Sequence, residues 1–574
     1  MRHALVLAGL CGVLSAQCFV RTHDTDRVLR SGPHAGGAAP LAAGASVCAT
    51  LALAWHGQPA PGGGTLSPLA FANPATVNRD GRLAFFAQVG GVLRNQGIFV
   101  ADGQGVRAIA VGCGAGGGSG NHGTCGDPAP GGGTFAGMFG GTPFVPAQNE
   151  LGDVLFLADV VGGSSGRGLF LYRADSGTLV KVAAVGDAAP QGGTFHSIGP
   201  GSLNNRREIV FLARTANVLT SDLYVWRPGA LALFARTGDP APGGGTYAML
   251  GTESFGFQDG SNIPTGPVPA INDRGEVAFR AITSGGSTSR GIVLVQNGVH
   301  RWALRAGDPT PAGGIYQDFW APHLNAVGGI AVLADYTPAT TGWFVGAGTS
   351  WRKAISFLDP IDGGMCYGLA ASRNPIHPLD DEGNLLFWTD LSSAGGQDRL
   401  VLAAPDGTLT IVARRGGATP VGGTFSSLDA WPSLSASGRT SFGAGTPGAG
   451  GGTIFNARCV ALLCGPAVAV LGATAIAGTL RVDDYGPPGA GFGLLASTTT
   501  QSLALPPFGT LRLGPGPIVL LLGLTPYPAG TGLHTLRLPV PNDPTLANVR
   551  LYLQSLAVQG GTATLTNLAE TVLR

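Results

Sequence analysis

Five aspartates carry the clearest chemical potential in this chain. Asp127, Asp187, Asp239, Asp308 and Asp359 hold the same place in a recurring phrase of the Gly-Asp-Pro kind. Carboxylates repeated at one structural position can ring a face of a molecule and, with backbone oxygens, hold Ca²⁺. A plainer reading competes. An Asp that opens a turn bonds its carboxylate to nearby backbone amides. The turn reading is the stronger, because Gln58 and Gly417 stand where Asp is expected in the first and last copies, and a metal ring tolerates such gaps poorly. Ca²⁺ stays the only cofactor in view.

No catalytic set can be assigned. The Gly-rich phrases lack the GxxxxGK[ST] order, and a strand rather than a helix follows them, so no helix N-terminus cradles a phosphate. There is no Gly-x-Ser-x-Gly elbow in a strand–turn–helix setting. Among 10 histidines, His122, His196, His300, His323 and His377 are scattered over loops and strand starts. Paired carboxylates for glycoside hydrolysis need only meet in space, yet no pair stands out. Trp320, Trp343, Trp388 and Trp431 cluster in one stretch and suit a sugar-binding face, although aromatics at such strand positions more often pack between sheets.

The cysteines suit an oxidising compartment. Cys113 and Cys125 bracket a Gly-rich loop, and Cys459 and Cys464 bracket VALL. Both read as disulfides, since neither pair has companions at zinc spacing. Cys48 and Cys366 have no evident local partner.

The elements that position these residues come from a repeat. The phrase begins at Gly57, Gly126, Gly186, Gly238, Gly307, Leu358 and Gly416, seven copies spaced by roughly 50 to 70 residues. A second phrase, Asn-x-x-Gly-x-x-Ala-Phe, follows each one. NDRGEVAF is its fullest form (Asn272, Gly275, Ala278, Phe279). The others start at Asn78, Asn149, Asn204, Asn325, Asp380 and Ser435, and the copy at Asn204 has Arg207 in the glycine place. Asn, Asp and Ser bond their own backbone in turns and Gly supplies positive φ, so the phrase is a hairpin leading into a strand. Two further strands follow in each copy. Four strands per copy, seven times, is the arithmetic of a seven-bladed β-propeller. The last copy lacks its fourth strand, and the stretch 47–55 (VCATLALAW) matches the missing one. We expect it to complete the seventh blade and close the ring.

These residues resemble the exported bacterial tandem-repeat family of the choice-of-anchor type, which is defined by the Asn-x-x-Gly-x-x-Ala-Phe motif. The resemblance implies export and a propeller-like repeat, with no established activity. The segments FGTLRLGPG, LRLPVPNDPTLANVRLYLQSLAV and LTNLAETVL resemble a C-terminal domain of large secreted bacterial proteins, which implies sorting or attachment. By itself this region reads as short apolar strands between Gly/Pro turns, a β-sandwich.

Composition agrees with an all-β protein: 96 Gly, 41 Pro, 44% hydrophobic residues and 12% charged, with formal net charge +1. No basic stripe points to nucleic acid. The start MRHALVLAGLCGVLSAQ reads as a signal peptide, cleaved after Ala16. The uncharged stretch 459–478 reaches spanning length, but Gly465-Pro466 and its β-branched residues favour buried strands. The expected organisation is a signal peptide at 1–16, an extension at 17–41, an all-β seven-bladed propeller at 42–456 and a β-sandwich at 457–574. The expected product is secreted, periplasmic or on the cell surface, monomeric, without a membrane span. It binds an unidentified extracellular protein or glycan, with the loops 112–126 and 256–267 as the longest contact candidates. The alternative is a propeller glycosidase or lyase acting on an extracellular polymer. The two differ at the mouth of the central channel, where an enzyme gathers three or more ionisable side chains and a scaffold does not.

Overall fold

The computed structural model describes residues 48–67, 75–102, 105–113, 126–138, 145–163, 166–215, 221–251, 268–338, 341–370, 377–392, 395–419, 423–436, 438–446, 452–459, 467–471, 477–485, 490–505, 509–514, 517–527, 533–547, 549–559, 562–565 and 569–573. The signal-peptide and extension readings, Cys125, Cys464 and the segment 256–267 lie outside them. The chain is all-β and divides into two compact bodies, Thr50–Cys459 and one containing Val460–Arg574. No helix among the described residues is long and apolar enough to cross a membrane.

In the first body each repeat folds into its own antiparallel sheet of four or five strands, and repeats two and six add a separate two-stranded pair, Thr134–Phe135 with Val160–Val161 and Pro360–Ile361 with Gly364–Met365. Repeat three is the simplest, with Ser197–Leu203, Ile209–Arg214, Asp222–Arg227 and Ala230–Ala235 side by side in chain order. In repeat four the first strand is interrupted, and its two pieces, Thr246–Leu250 and Ala270–Ile271, both pair with Val277–Ser284. The period-2 alternation of these strands explains their burial. The second and third strands of repeat four are buried on both faces, whereas the fourth, Val299–Arg305, alternates between exposed and covered positions.

The two phrases bring aromatic rings together in several of the repeats. The aromatic ending the first phrase, the Phe of the second and a residue of the third strand form one group. In repeat three these are Phe195, Phe211 and Tyr224, with the last pair stacked at 5.8 Å and Phe195 edge-on to Tyr224 at 5.0 Å. Repeat two repeats the arrangement with Phe135, Phe156 and Phe170. Each such pair adds about 0.5–1.5 kcal/mol beyond its buried area. Repeat six departs. Its loop is one residue shorter, and the free Cys366, fully buried, takes the aromatic place, with its N–H donating to Asp359 O as Tyr316 N–H donates to Asp308 O.

Neighbouring sheets share apolar clusters. One joins repeats one and two (Phe86, Val100, Phe135, Phe156), and another joins two and three (Leu171, Phe195, Ile209). Others join three to four, four to five and five to six. A further cluster combines Ala54 and Ile454 with Leu66, Phe85 and Phe99 of repeat one. The strand Cys48–Trp55 lies hydrogen-bonded beside Gly452–Cys459 in the sheet of repeat seven.

The second body has a three-stranded sheet of Ala467–Leu471, Thr479–Tyr485 and Leu533–Pro539. Its larger sheet runs Val519–Pro526, Gly491–Ser497, Arg550–Gln559 and Thr562–Leu565. Leu480, Val482 and Leu536 of the first meet Phe492, Leu494 and Leu553 of the second in one core. Asp484 is fully buried there and accepts from Tyr527 Oη at 2.6 Å and from Ser555 Oγ. This burial beside a carboxylate raises the Tyr527 phenol above its ordinary range.

Candidate functional site

The Asn of the second phrase builds the site. In repeat four, Asn272 Oδ1 accepts from Arg274 N at 3.1 Å and Glu276 N at 3.0 Å, while its own C=O accepts from Gly275 N at 3.0 Å. The same pair of side-chain bonds recurs at Asn78, Asn149, Asn204 and Asp380. The turn is thereby closed from within, as a turn-forming amide should close it.

The amide nitrogen does something else: it reaches the next repeat. Asn149 Nδ2 donates to Asn204 O at 3.1 Å, Asn204 to Asn272 O at 2.8 Å, Asn272 to Asn325 O at 3.1 Å and Asn325 to Asp380 O at 2.8 Å. Four successive junctions are thus tied by one side-chain type. Asn149, Asn204 and Asn272 also donate to the carboxylate four residues on, Asp153, Glu208 and Glu276. Repeat six swaps the partners, so that Asn384 Nδ2 donates to Asp380 at 2.7 Å. Repeat one has Arg82 in that place, and the buried Asn78 Nδ2 has no partner.

The residue after each Asn forms a second course. Arg79 N donates to Glu150 Oε2, Glu150 N to Asn205 Oδ1 at 2.8 Å, Asn205 N to Asp273 Oδ1 at 2.7 Å and Ala326 N to Asp381 Oδ1 at 2.9 Å. Arg79 cannot accept, and Ala436 N donates instead to Glu150 Oε1 at 2.7 Å. Glu150 of repeat two therefore holds repeats one and seven at once. Its carboxylate also pairs with Arg79 Nε at 3.6 Å.

These residues surround a cavity of about 80 Å³ lined by all seven repeats, from Val77 and Arg79 to Leu434 and Ala436. Arg79, Glu150, Asp273, His377 and Asp381 all border it. Burial raises the pKa of Glu150 and of Asp381, and lowers that of His377, whose imidazole is held toward the neutral form. Asp380, just behind, is pushed up to about 7 by burial. Five ionisable groups from four repeats thus meet at one place, which weakens the expectation of a non-catalytic scaffold.

The five first-phrase aspartates are used differently. Asp187 Oδ2 accepts from Ala184 N at 2.8 Å while Oδ1 pairs with Lys181 at 2.8 Å. Asp239 does the same with Arg236 N and its guanidinium, Asp308 with Arg305, and Asp359 with Ser356 N and Lys353. Asp127 accepts from Val111 N at 2.9 Å and pairs with Arg94. Each carboxylate carries its own cation, and all but Asp127, which bonds across the loop that precedes it, close their own turn. Among the described residues no group of three His, Cys, Asp or Glu side chains is placed to hold a metal ion. Cys113 is disulfide-bonded, and the side chains of Cys125, Cys459 and Cys464 are not among those described. Trp343 and Trp388 lie on successive sheets; Trp343 is buried and belongs to the core joining them.

A protein-family profile described as a family of unknown function, DUF7453, matches residues 45–348. The chain belongs to that family. The DUF7453 match begins just before the strand Cys48–Trp55 and ends in repeat five, so it covers the first five Asn turns. No curated protein matches the chain. Among solved structures it is similar to a protein of unknown function from Dyadobacter fermentans, at 11% identity over 72% of this chain and 98% of that one, TM-score 0.29. It is also similar to the SapL1 lectin in complex with α-methyl fucoside, at 9% identity, 60% and 95% coverage and TM-score 0.24. A third is a PL25 polysaccharide lyase, an ulvan lyase, at 11% identity, 70% and 94% coverage and TM-score 0.31. Scores this low support no inference about fold or ligand.

The sequence reading missed this set. Its signal was present in one column, the residue after each turn Asn, Asp or Ser: Arg79, Glu150, Asn205, Asp273, Ala326, Asp381 and Ala436. Polar and ionisable types fill five of those seven places, where a plain turn imposes none.

Proposed function

We propose that this DUF7453 protein is an exported, non-catalytic binding scaffold: a seven-bladed propeller closed by the strand Cys48–Trp55, followed by a β-sandwich that serves attachment. The pairing of that strand with Gly452–Cys459 supports closure, as does the cluster that combines Ala54 and Ile454 with repeat one. The choice-of-anchor resemblance and the bridging of Cys113 to Cys125 and of Cys459 to Cys464 belong to the same reading.

The observation that carries the non-catalytic reading is how the axial groups are spent. Glu150 and Asp273 accept backbone amides of neighbouring repeats, and the space among them is about 80 Å³. Pockets that enclose a small organic ligand run to about 300 Å³ or more. A few water molecules fit the space, and a sugar ring does not. Recognition then falls to the loops at the ends of the sheets, where a rigid scaffold presents its contacts.

A second reading keeps the enzyme. A neutral His377 beside Asp273, Asp381 and Glu150 is an acid–base set in composition. One experiment addresses both. The purified chain is applied to a glycan array and incubated with acidic and neutral polysaccharides, while new chain ends are measured. Binding without turnover is the expected result. Turnover that disappears in His377→Ala overturns the non-catalytic reading, and an array without signal removes glycans as the ligand.

A further inference from the structure

The residues that follow the turn Asn, Asp or Ser all keep some exposure, whereas the turn residues themselves are buried. The cavity of about 80 Å³ among them therefore opens to solvent at the Asn turns. Two of its places are alanine. Where Asn205 and Asp273 accept the amide of the preceding repeat, Ala326 and Ala436 have no side-chain acceptor to offer Asp273 N and Asp381 N. The shortened side chain at Ala326 leaves a gap between Asp273 and Asp381 in the order of repeats. Asp273 is close enough for its charge to act on both the Asp381 carboxyl and the His377 imidazole. Asp381 Oδ1 accepts from Ala326 N, and among the described residues its Oδ2 makes no hydrogen bond. Arg79, the one Arg or Lys lining the cavity, is paired with Glu150.

We propose that this cavity binds the ε-ammonium of a lysine side chain carried by an extended peptide partner. Charge selects the ligand's sign. Glu150, Asp273 and Asp381 face a single guanidinium that is already engaged, so the cavity draws a cation and turns away an anion. Spacing selects its kind. No trio of described side chains is close enough for a metal ion, which needs oxygens at about 2.0–2.6 Å, whereas an ammonium is held at the longer hydrogen-bond distance of about 2.7–2.9 Å. An ammonium carries three donors, and Asp273, Asp381 Oδ2 and the lone pair of a neutral His377 offer three acceptors. Size selects lysine. A water takes about 30 Å³, so the space equals two or three waters, enough for an ammonium and its adjoining methylenes. A planar guanidinium is wider, and lysine's thin stem reaches a site set below the surface. Leu151 and Val327, 37% and 60% exposed, follow Glu150 and Ala326 in the same turns and offer apolar contact to the flanks of such a peptide.

Titration of the full chain with acetyl-Gly-Lys-Gly-amide, followed by NMR, tests this. The amides of Asp273, Ala326 and Asp381 should shift saturably, and the same peptide with an Nε-acetylated lysine should leave them in place. Ammonium chloride should bind about tenfold or more weakly, since it lacks the stem. Ala326→Asn fills the gap and offers Asp273 N the acceptor that Asn205 offers Glu150 N; it should keep the melting temperature and lower the peptide affinity about tenfold or more. Asp381→Asn keeps the acceptor for Ala326 N, removes the charge and should weaken binding as much. Absent shifts, equal shifts from the acetylated peptide, or affinity unchanged in both variants overturns the proposal. Ammonium chloride binding as tightly as the peptide overturns the lysine partner. If neither variant folds, the comparison of the two peptides on the wild-type chain decides alone. A glycan array without signal leaves this site standing, since it needs no sugar.

Discussion

At the residue scale, the second phrase is a small set of exchangeable solutions to one problem. A turn must be closed from within and tied to the next repeat. Arg207 shows how a departure from the motif is absorbed. It sits at φ 62° where the other repeats have glycine, and its guanidinium bonds the fully buried Asp153 of repeat two at 2.9 Å. Elsewhere the glycine is needed for space as well as for φ. A Cβ on Gly152, Gly275 or Gly328 would meet the guanidinium of Arg82, Arg206 or Arg274 from the preceding repeat. Each of these four junctions therefore places one Arg over the turn, contributed from either side. Repeat six makes a second exchange, with Asp380 and Asn384 reversing the roles of Asn and carboxylate. This reversal is testable. Asn272→Asp removes the donor to Asn325 O and sets two carboxylates together, and should cost about 2–4 kcal/mol in denaturant unfolding. Adding Glu276→Asn recreates the repeat-six pair, and a double-mutant cycle should return at least about 1 kcal/mol of favourable coupling. Zero coupling would mean that the two side chains act separately.

At the element scale, much of the architecture is legible in the sequence, and the reasons are physical. Positive-φ glycines and self-bonding Asn side chains are local requirements, so GDPAPGGGTY and NDRGEVAF announce their turns without any knowledge of the rest of the chain. The strand at 47–55 is legible for a different reason, since the last repeat is one strand short and this stretch has the matching pattern. Cys366 in an aromatic place and Glu150 spanning three repeats were not legible. The first depends on a shorter loop within repeat six, and the second on Arg79 of the neighbouring repeat being a non-acceptor. The strand Cys48–Trp55 also gives an element-level prediction. Ala54 is fully buried in the cluster with Ile454. Ala54→Asp places a carboxylate there and should cost roughly 3 kcal/mol or more. Hydrogen exchange should rise in Arg439–Gly445 and Gly452–Cys459 while strands of repeats three and four keep their protection. A uniform rise across all repeats would show that the strand has no special role in repeat seven.

At the scale of the whole molecule, buried carboxylates set how stability responds to pH. Asp380 is pushed up to about 7 and Asp429 to about 8, in both cases first by burial. Glu150, Asp381 and Asp398 move in the same direction for the same reason. A carboxyl whose folded pKa is raised keeps its proton in the native state and loses it on unfolding. Its penalty is absent below the unfolded pKa and grows until the pH exceeds the folded value. His300 and His377 are lowered by burial and work oppositely, but only below their unfolded pKa of 6.5. From pH 6.5 to 8.5 the carboxylates dominate and the buried Cys366 thiol, also pushed up by burial, acts in the same direction, so the melting temperature should fall across that interval. Asp429→Asn should flatten the fall, because an amide cannot ionise in the space beside Gly443. A melting temperature that rises over the same interval would contradict this assignment.

The strand that completes repeat seven also fixes an order of events in the making of the protein. Trp55 leaves the ribosome about 400 residues before Cys459. At ordinary elongation rates that is a wait of roughly 20 to 80 s. Throughout it, the first repeat has no neighbour on one side, and Leu66, Phe85 and Phe99 lack part of their cover. The nascent chain cannot reach its final state piece by piece from the N-terminus, since its last contact joins residues from opposite ends of the repeat array. A truncated product ending anywhere in repeats one to six carries an unmatched strand and an uncovered apolar face, and is marked by its own topology as incomplete.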